Sequence, residues 1–317
     1  MNLALLFSPQ GSQVVGMGRA LADRSGPARE TYEEADATLG WSISTTSWDG
    51  PAERLDDTRQ TQPCLLTASV AAYRALGEQV ELRPRLVAGH SVGEYAALVA
   101  AGVLRFAAAL RLVARRAALM ADVDTRGGMA AVLGLDRAAV EQVVDRIARP
   151  TVLVVANDNA PGQVVISGRL DALEAVEEPM RAAGAKRVVR LSVSGAFHSP
   201  LMTDVADGLA NAFEDEAWHD AAVPLISNVT AEPLTDATRI RALLAEQVRS
   251  PVEWVRCVER MVAEGIDTVV ECGPGTALTG MVRRIAPQLR TANASDPAGV
   301  DAAAALLRGG VAASVSV

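Results

Sequence analysis

Ser91 lies in Gly89-His90-Ser91-Val92-Gly93, a G-x-S-x-G pattern with the apolar run Leu86-Val87-Ala88 before it and a helix-forming stretch from about 94 to 101 after it. That setting predicts a strand, a sharp turn and a helix, with the serine at the apex. The turn lifts a hydroxyl off the edge of a sheet. Flanking glycines avoid side-chain clashes, and the helix N-terminus offers unpaired N–H groups to developing negative charge. The plain alternative is an ordinary strand-to-helix turn with Ser91 as an N-cap.

A serine hydroxyl needs a base before it attacks anything, and the chain has three histidines. His90 adjoins Ser91 and should point away from it. His219 falls in the acidic, polar stretch Glu214-Asp215-Glu216-Ala217-Trp218-His219-Asp220 and reads as a surface residue. His198, in Gly195-Ala196-Phe197-His198-Ser199-Pro200, is the base by elimination; the alternative is a structural histidine at a domain junction.

Arg116 belongs to a predicted helix over about 106–122, with Leu112, Val113, Leu119 and Met120 three or four residues away. Its guanidinium therefore faces the core side, where a bare charge is costly. Either a protein carboxylate pairs with it, or it is a fork for a substrate carboxylate; spacing does not separate the two. Gln10 follows the first strand in a loop of small residues, and its position favours a loop-fixing role over contact with an oxyanion.

The elements that must position these residues alternate. Residues 3–7 form a strand, 63–77 a helix, 86–88 a strand, then helices over 94–101 and 106–122. A second pattern follows: strand Met129–Leu133, helix 136–147, strand 151–156, turn Asn157–Gly162, strand 163–167, helix 170–183 and strand 186–191. This β-α-β-β-α-β order is ferredoxin-like. Leu225–Asn228 and Thr268–Glu271 read as further strands, the second opening through Cys272-Gly273-Pro274-Gly275 into a helix.

The expected fold is α/β: a hydrolase-like large domain with a mostly parallel sheet, discontinuous over 1–125 and 193–290, with a small ferredoxin-like domain inserted over 126–192. His198 then falls where the insertion returns to the large domain, at a cleft. Residues 291–317 are expected to be a docked helix and a loose end.

Composition narrows the classes. At 317 residues and 50% hydrophobic, the chain can bury a large core, built mainly from Ala, Val and Leu because aromatics are only 3%. A net charge of -8 and no dense basic block argue against nucleic acid. Cys64, Cys257 and Cys272 have no metal-ligand spacing, so no metal is expected, and scattered thiols fit a reducing cytoplasm. No run approaches the roughly 18–20 apolar residues that cross a bilayer, so no membrane role is expected.

Five ordered segments resemble one known family. Phe7-Ser8-Pro9-Gln10-Gly11-Ser12-Gln13, Gly89-His90-Ser91-Val92-Gly93-Glu94, Arg115-Arg116, Gly195-Ala196-Phe197-His198-Ser199 and Glu271-Cys272-Gly273-Pro274-Gly275 look like the malonyl-CoA:acyl carrier protein transacylases. That family includes the stand-alone enzymes of fatty-acid synthesis and the acyltransferases of polyketide synthases. The resemblance spans residues 3 to about 286.

It implies an S-malonyltransferase that moves malonyl from malonyl-CoA through Ser91 to the phosphopantetheine thiol of an acyl carrier protein. His198 would be the base and Arg116 the holder of the malonyl carboxylate. The backbone N–H groups of Gln10 and Val92 would form an oxyanion hole, and a main-chain carbonyl at Gln247 would orient the histidine. No cofactor is implied, coenzyme A being part of the substrate, and a monomer is expected. Where the family usually reads Pro-Gly-Gln-Gly, this chain has Ser8-Pro9-Gln10-Gly11, which leaves the Gln10 N–H intact.

Phe197 before the histidine resembles malonyl-selective members, since a bulky ring would crowd a branched donor; selectivity for a branched extender is the alternative within the class. A serine hydrolase or thioesterase is the alternative outside it, and a non-catalytic carrier-binding module a third. For carrier docking, Lys186, Arg187 and Arg190, or Arg283 and Arg284, are candidates, against scattered solvated charge.

Overall fold

The computed structural model describes residues 1–123, 126–147 and 153–314. Its strands are β1 (Leu3–Phe7), β2 (Leu86–Gly89), β3 (Gly127–Leu133), β4 (Leu153–Ala160), β5 (Gln163–Arg169), β6 (Arg187–Arg190), β7 (Leu225–Ile226), β8 (Pro233–Leu234), β9 (Thr268–Cys272) and β10 (Arg290–Ala294). They form two sheets, ordered β10-β9-β1-β2-β7-β8 and β4-β5-β3-β6.

Every pair in the first sheet is parallel except β7 with β8. Strands β1, β2 and β9 are buried along their whole length. The reason is layering: Leu3, Leu5 and Phe7 enter one core, while Ala4 and Leu6 enter a second on the opposite face. A sheet covered by helices on both sides needs continuous apolar strands rather than alternating ones. Phe7 stands beside Gly89 in register, so Gln10 and Ser91 emerge together at the carboxyl ends of β1 and β2. Crevices at that edge, where strand order reverses, are where such sheets hold ligands.

The second sheet is antiparallel, and its order is that of a ferredoxin-like β-α-β-β-α-β unit. Its core joins Val132, Leu153 and Ile166 to Val140, Val143, Leu173 and Met180 of its helices. A parallel bridge between Asn157 and Val252 ties β4 to the large domain, with Val252 N–H donating to Ala156 O at 2.8 Å. Arg137 adds an ion pair to Glu253 across the same junction.

Several expected boundaries change. The helix expected from 63 spans Thr58–Gln79: Asp57 caps it, and Pro63 is accommodated inside it. The expected turn from Asn157 is strand as far as Ala160, because bulges at Val155/Asn157 and Asp158/Ala160 absorb the irregularity; only Pro161 and Gly162 turn. The helix over 170–183 is two short ones, Leu170–Ala175 and Glu177–Ala182. Residues 151 and 152, expected in a strand, lie outside the described residues.

The segment after 290 is the main correction. It is not a helix and loose end alone, because Arg290–Ala294 pairs with β9 in full register as an edge strand. The helix Pro297–Ser314 then covers it, with Val300, Ala303, Ala304 and Leu307 in the main core. Residues 315–317 lie outside the described residues. Helices Arg19–Arg24, Gly26–Leu39, Ile43–Asp49 and Ala52–Leu55 occupy a stretch for which the sequence reading gave no element.

Candidate active site

Ser91 sits at φ 54°, a left-handed backbone that a non-glycine residue adopts only under constraint. The constraint is visible on both sides. A Cβ on Gly89 would come within 1.9 Å of Gly93 O, and one on Gly93 within 2.2 Å of Phe7 O. Asn228, just past β7, ties the turn together: its Oδ1 accepts from Ser91 N–H at 2.7 Å and its Nδ2 donates to Gly89 O at 2.7 Å.

His198, also left-handed at φ 57°, brings Nε2 to 2.8 Å from Ser91 Oγ. Its Nδ1 lies 2.8 Å from Gln247 O and 3.2 Å from Ser250 O. Two carbonyl acceptors place the proton on Nδ1, so Nε2 is the lone-pair side and accepts from the serine hydroxyl. Burial first, then the positive charge of Arg116, push the imidazole down to about 3, so it is neutral at physiological pH.

Arg116 is 1% exposed and lies in the helix Phe106–Asp122. Nη1 donates to Gln62 Oε1 at 2.6 Å; Nη2 donates to Ser91 Oγ at 3.1 Å and Gln247 Oε1 at 3.2 Å. Nε has no partner. The Tyr95 ring lies 5.9 Å from Cζ. No carboxylate forms an ion pair with Arg116 among the described residues. Of the two readings left open by spacing, the structural carboxylate pair is therefore not what the fold builds. A buried guanidinium with neutral partners, beside a serine oxygen, is poised for an incoming anion.

Gln247, 1% exposed, joins these parts. Its main-chain oxygen holds His198, its Oε1 faces Arg116, and its Nε2 donates to Ser91 O at 3.1 Å and Glu94 Oε2 at 2.6 Å. The N–H groups of Gln10 and Val92 have no protein acceptor among the described residues. Gln10 also stands near Gln62, whose Nε2 is 3.5 Å from its Oε1.

Gln10, Ser91 and His198 open on a cleft of about 370 Å³ between the two sheets, lined with them by Met120 and Phe197 on one side and by Met129, Asn157, Asn159 and Val165 on the other, with Arg116 and Gln247 buried behind Ser91. Phe197 is thus a wall of the cleft beside the serine. His90 does point away from the hydroxyl chemistry: its Nε2 meets Asn159 Oδ1 at 2.8 Å, against the Trp254 ring. His219 is exposed.

Sequence reasoning missed Gln62, Glu94, Asn228 and the Ser250 carbonyl. Only Asn228 carried a usable signal, a polar residue just past the carboxyl end of a short apolar strand. Among the docking candidates, Lys186, Arg187 and Arg190 are exposed at one edge of the small sheet. Arg284 is engaged with Gln163 Oε1 at 2.7 Å, and Arg283 with Thr291 Oγ1 at 3.0 Å.

The acyl transferase domain model matches residues 4–301. A malonyl CoA-acyl carrier protein transacylase of Salmonella typhimurium is 42% identical over 304 residues, covering 95% of this chain and 98% of that protein. The protein of the same name from Bacillus subtilis is 41% identical over 310 residues, covering 97% and 98%. The crystal structure of an acyl-carrier-protein S-malonyltransferase from Burkholderia pseudomallei superposes with a TM-score of 0.93 at 41% identity, covering 96% and 99%. A malonyl-transacylase in complex with its type II polyketide synthase carrier protein gives 0.92 at 38% identity, covering 95% and 98%.

Proposed function

The chain belongs to the malonyl-CoA:acyl carrier protein transacylases of the acyl transferase family, and from that membership we propose how its own residues carry malonyl from coenzyme A to a carrier protein. Ser91 is the nucleophile. As its oxygen attacks the malonyl thioester carbon, its proton passes to His198 Nε2, 2.8 Å away. The tetrahedral oxyanion forms beside the N–H groups of Gln10 and Val92, which are free to receive it. The C–S bond breaks, the thiolate takes the proton from His198, and malonyl-Ser91 remains.

The second half runs the same steps backwards. The carrier's phosphopantetheine thiol gives its proton to His198 and attacks the ester carbon, and Ser91 leaves with the proton. The route is a ping-pong exchange that needs no metal or cofactor. The Gln247 and Ser250 carbonyls keep Nδ1 protonated and stabilise the imidazolium as it forms, taking the place a carboxylate fills in many serine triads.

Arg116 supports malonyl as the group carried, and it is the observation on which the reading rests. A free substrate carboxylate completes a guanidinium that otherwise has only neutral partners; an acetyl group would leave it uncompensated. Phe197, in the cleft wall, crowds a branched donor, although one methylene is worth only about 1–3 kcal/mol. We read residues 126–192 as the inserted domain and the enzyme as a cytoplasmic monomer; its three cysteines are buried and unpaired, as a reducing compartment allows.

The thioesterase reading differs in the acceptor. The test is partition of radiolabelled malonyl between carrier thiol and water: label on the carrier supports transfer, and rapid release of free malonate with little labelled carrier overturns it.

A further inference from the structure

Glu94 is a buried carboxyl that the transfer mechanism does not use. It lies in the first turn of the helix Gly93–Ala100, 3% exposed, three residues past Ser91. It is not a triad acid, because His198 Nδ1–H donates to main-chain carbonyls, those of Gln247 and Ser250. Its own hydrogen bonds fall on one oxygen: Gln247 Nε2 donates to Oε2 at 2.6 Å, and Asn228 N–H at 3.4 Å.

The consequence lies in the Gln247 carboxamide. A primary amide can sit in either of two orientations a half-turn apart, with oxygen and nitrogen exchanged. Arg116 has only donors and needs the oxygen. Glu94 Oε2 and the Ser91 carbonyl are acceptors and need the NH2 group. The shortest of these contacts is the one to Glu94. If the amide turned over, its NH2 would face the guanidinium, and Nη2 would lose the acceptor that holds it 3.1 Å from Ser91 Oγ.

We propose that Glu94 is a positioning residue for donor selectivity: by taking the Gln247 amide N–H it fixes the amide oxygen toward Arg116, and so holds the carboxylate-binding fork beside the nucleophile. This rests on the reading of Arg116 as the holder of the malonyl carboxylate. The device requires an acceptor oxygen at the right reach, and a formal charge is not part of it. Glutamine at 94 can offer its carboxamide oxygen in the same place. Aspartate keeps the charge but is one methylene too short to touch Gln247.

The experiment compares kcat/KM for malonyl-CoA and acetyl-CoA in the full chain, wild type against Glu94→Gln, Glu94→Asp and Arg116→Ala. Glu94→Asp should lower the malonyl-to-acetyl ratio by about tenfold or more, chiefly through the malonyl KM, since any loss that reaches His198 through Gln247 is shared by both donors and cancels in the ratio. Glu94→Gln should keep the ratio within about threefold of wild type. An unchanged ratio in Glu94→Asp overturns the proposal, as does an equal fall for both donors, which marks a merely structural residue. A fall of about tenfold or more in the ratio for Glu94→Gln also overturns it, a criterion that stands without Glu94→Asp should that variant be insoluble. Arg116→Ala separates the premise from the proposal. If its ratio does not move, the reading of Arg116 has failed; if it moves and that of Glu94→Asp does not, only the role of Glu94 has failed.

Discussion

Arg116→Ala removes the group that the resting site leaves electrically incomplete. Among the described residues its three hydrogen bonds go to Gln62 Oε1 at 2.6 Å, Ser91 Oγ at 3.1 Å and Gln247 Oε1 at 3.2 Å, all neutral. Burial disfavours the charged guanidinium and pulls its pKa down, with Tyr95 and Glu94 opposing. A carboxylate arriving at such a group forms a desolvated ion pair, and removing one partner of such a pair costs about 3–5 kcal/mol. That corresponds to a fall of about a hundredfold to several thousandfold in kcat/KM for malonyl-CoA. The truncation also leaves the Gln62 and Gln247 oxygens unpaired, at about 1–3 kcal/mol each, and Gln247 carries the carbonyl that orients His198. Both donors bear that second loss. The informative quantity is therefore the malonyl-to-acetyl ratio of kcat/KM, measured with the same carrier protein, which should fall by about a hundredfold or more. Equal losses for the two donors would refute the reasoning, because they would show that Arg116 only supports the fold of the site.

Two further outcomes follow from the geometry. His198, pushed down to about 3 by burial and by Arg116, should show no ring titration by NMR between pH 5 and 8, where an ordinary histidine titrates near 6.5. As pH falls from 6.5 towards 3, the unfolded chain's imidazole binds a proton that the folded site refuses, so His198 withdraws stability across that window. A titration midpoint near 6.5 for His198 would contradict the environment described. Asn228→Ala deletes the bonds to Ser91 N–H and Gly89 O, both 2.7 Å, and should lower kcat by about tenfold to a hundredfold with the malonyl KM little changed. Steady-state kinetics check it, and a wild-type kcat would show that the turn holds its shape without the side chain.

The residues with local signatures were legible in the sequence. Ser91 stands between a strand and a helix with glycines on both sides, and the left-handed backbone observed there is what that arrangement serves. His198 could be reached by elimination among three histidines, and Arg116 by a charge placed on an apolar helical face. Gln62, Glu94 and the Ser250 carbonyl could not be found this way. Each is an unremarkable polar group whose partner arrives from another element, so only tertiary approach gives it a role. The fold shows the same division. Strand β1 announces itself by a continuous apolar run, whereas β10 reads Arg-Thr-Ala-Asn-Ala and is only half buried at the sheet edge, where pairing with β9 outweighs weak strand propensity. The helix expected from 63 also begins earlier than its apolar spacing showed: the first turn capped by Asp57 starts it at Thr58, and buried packing along it tolerates the hydrogen bond lost at Pro63.

The central claim is that Ser91 itself carries the malonyl group between donor and acceptor. Incubation of the enzyme with malonyl-CoA without carrier protein, followed by acid quench, proteolysis and mass spectrometry, tests it most directly. The account predicts one added malonyl group on the peptide containing Ser91, lost on brief addition of the phosphopantetheinylated carrier and never formed in Ser91→Ala. Malonyl found on another residue, or transfer to the carrier persisting in Ser91→Ala, would contradict it.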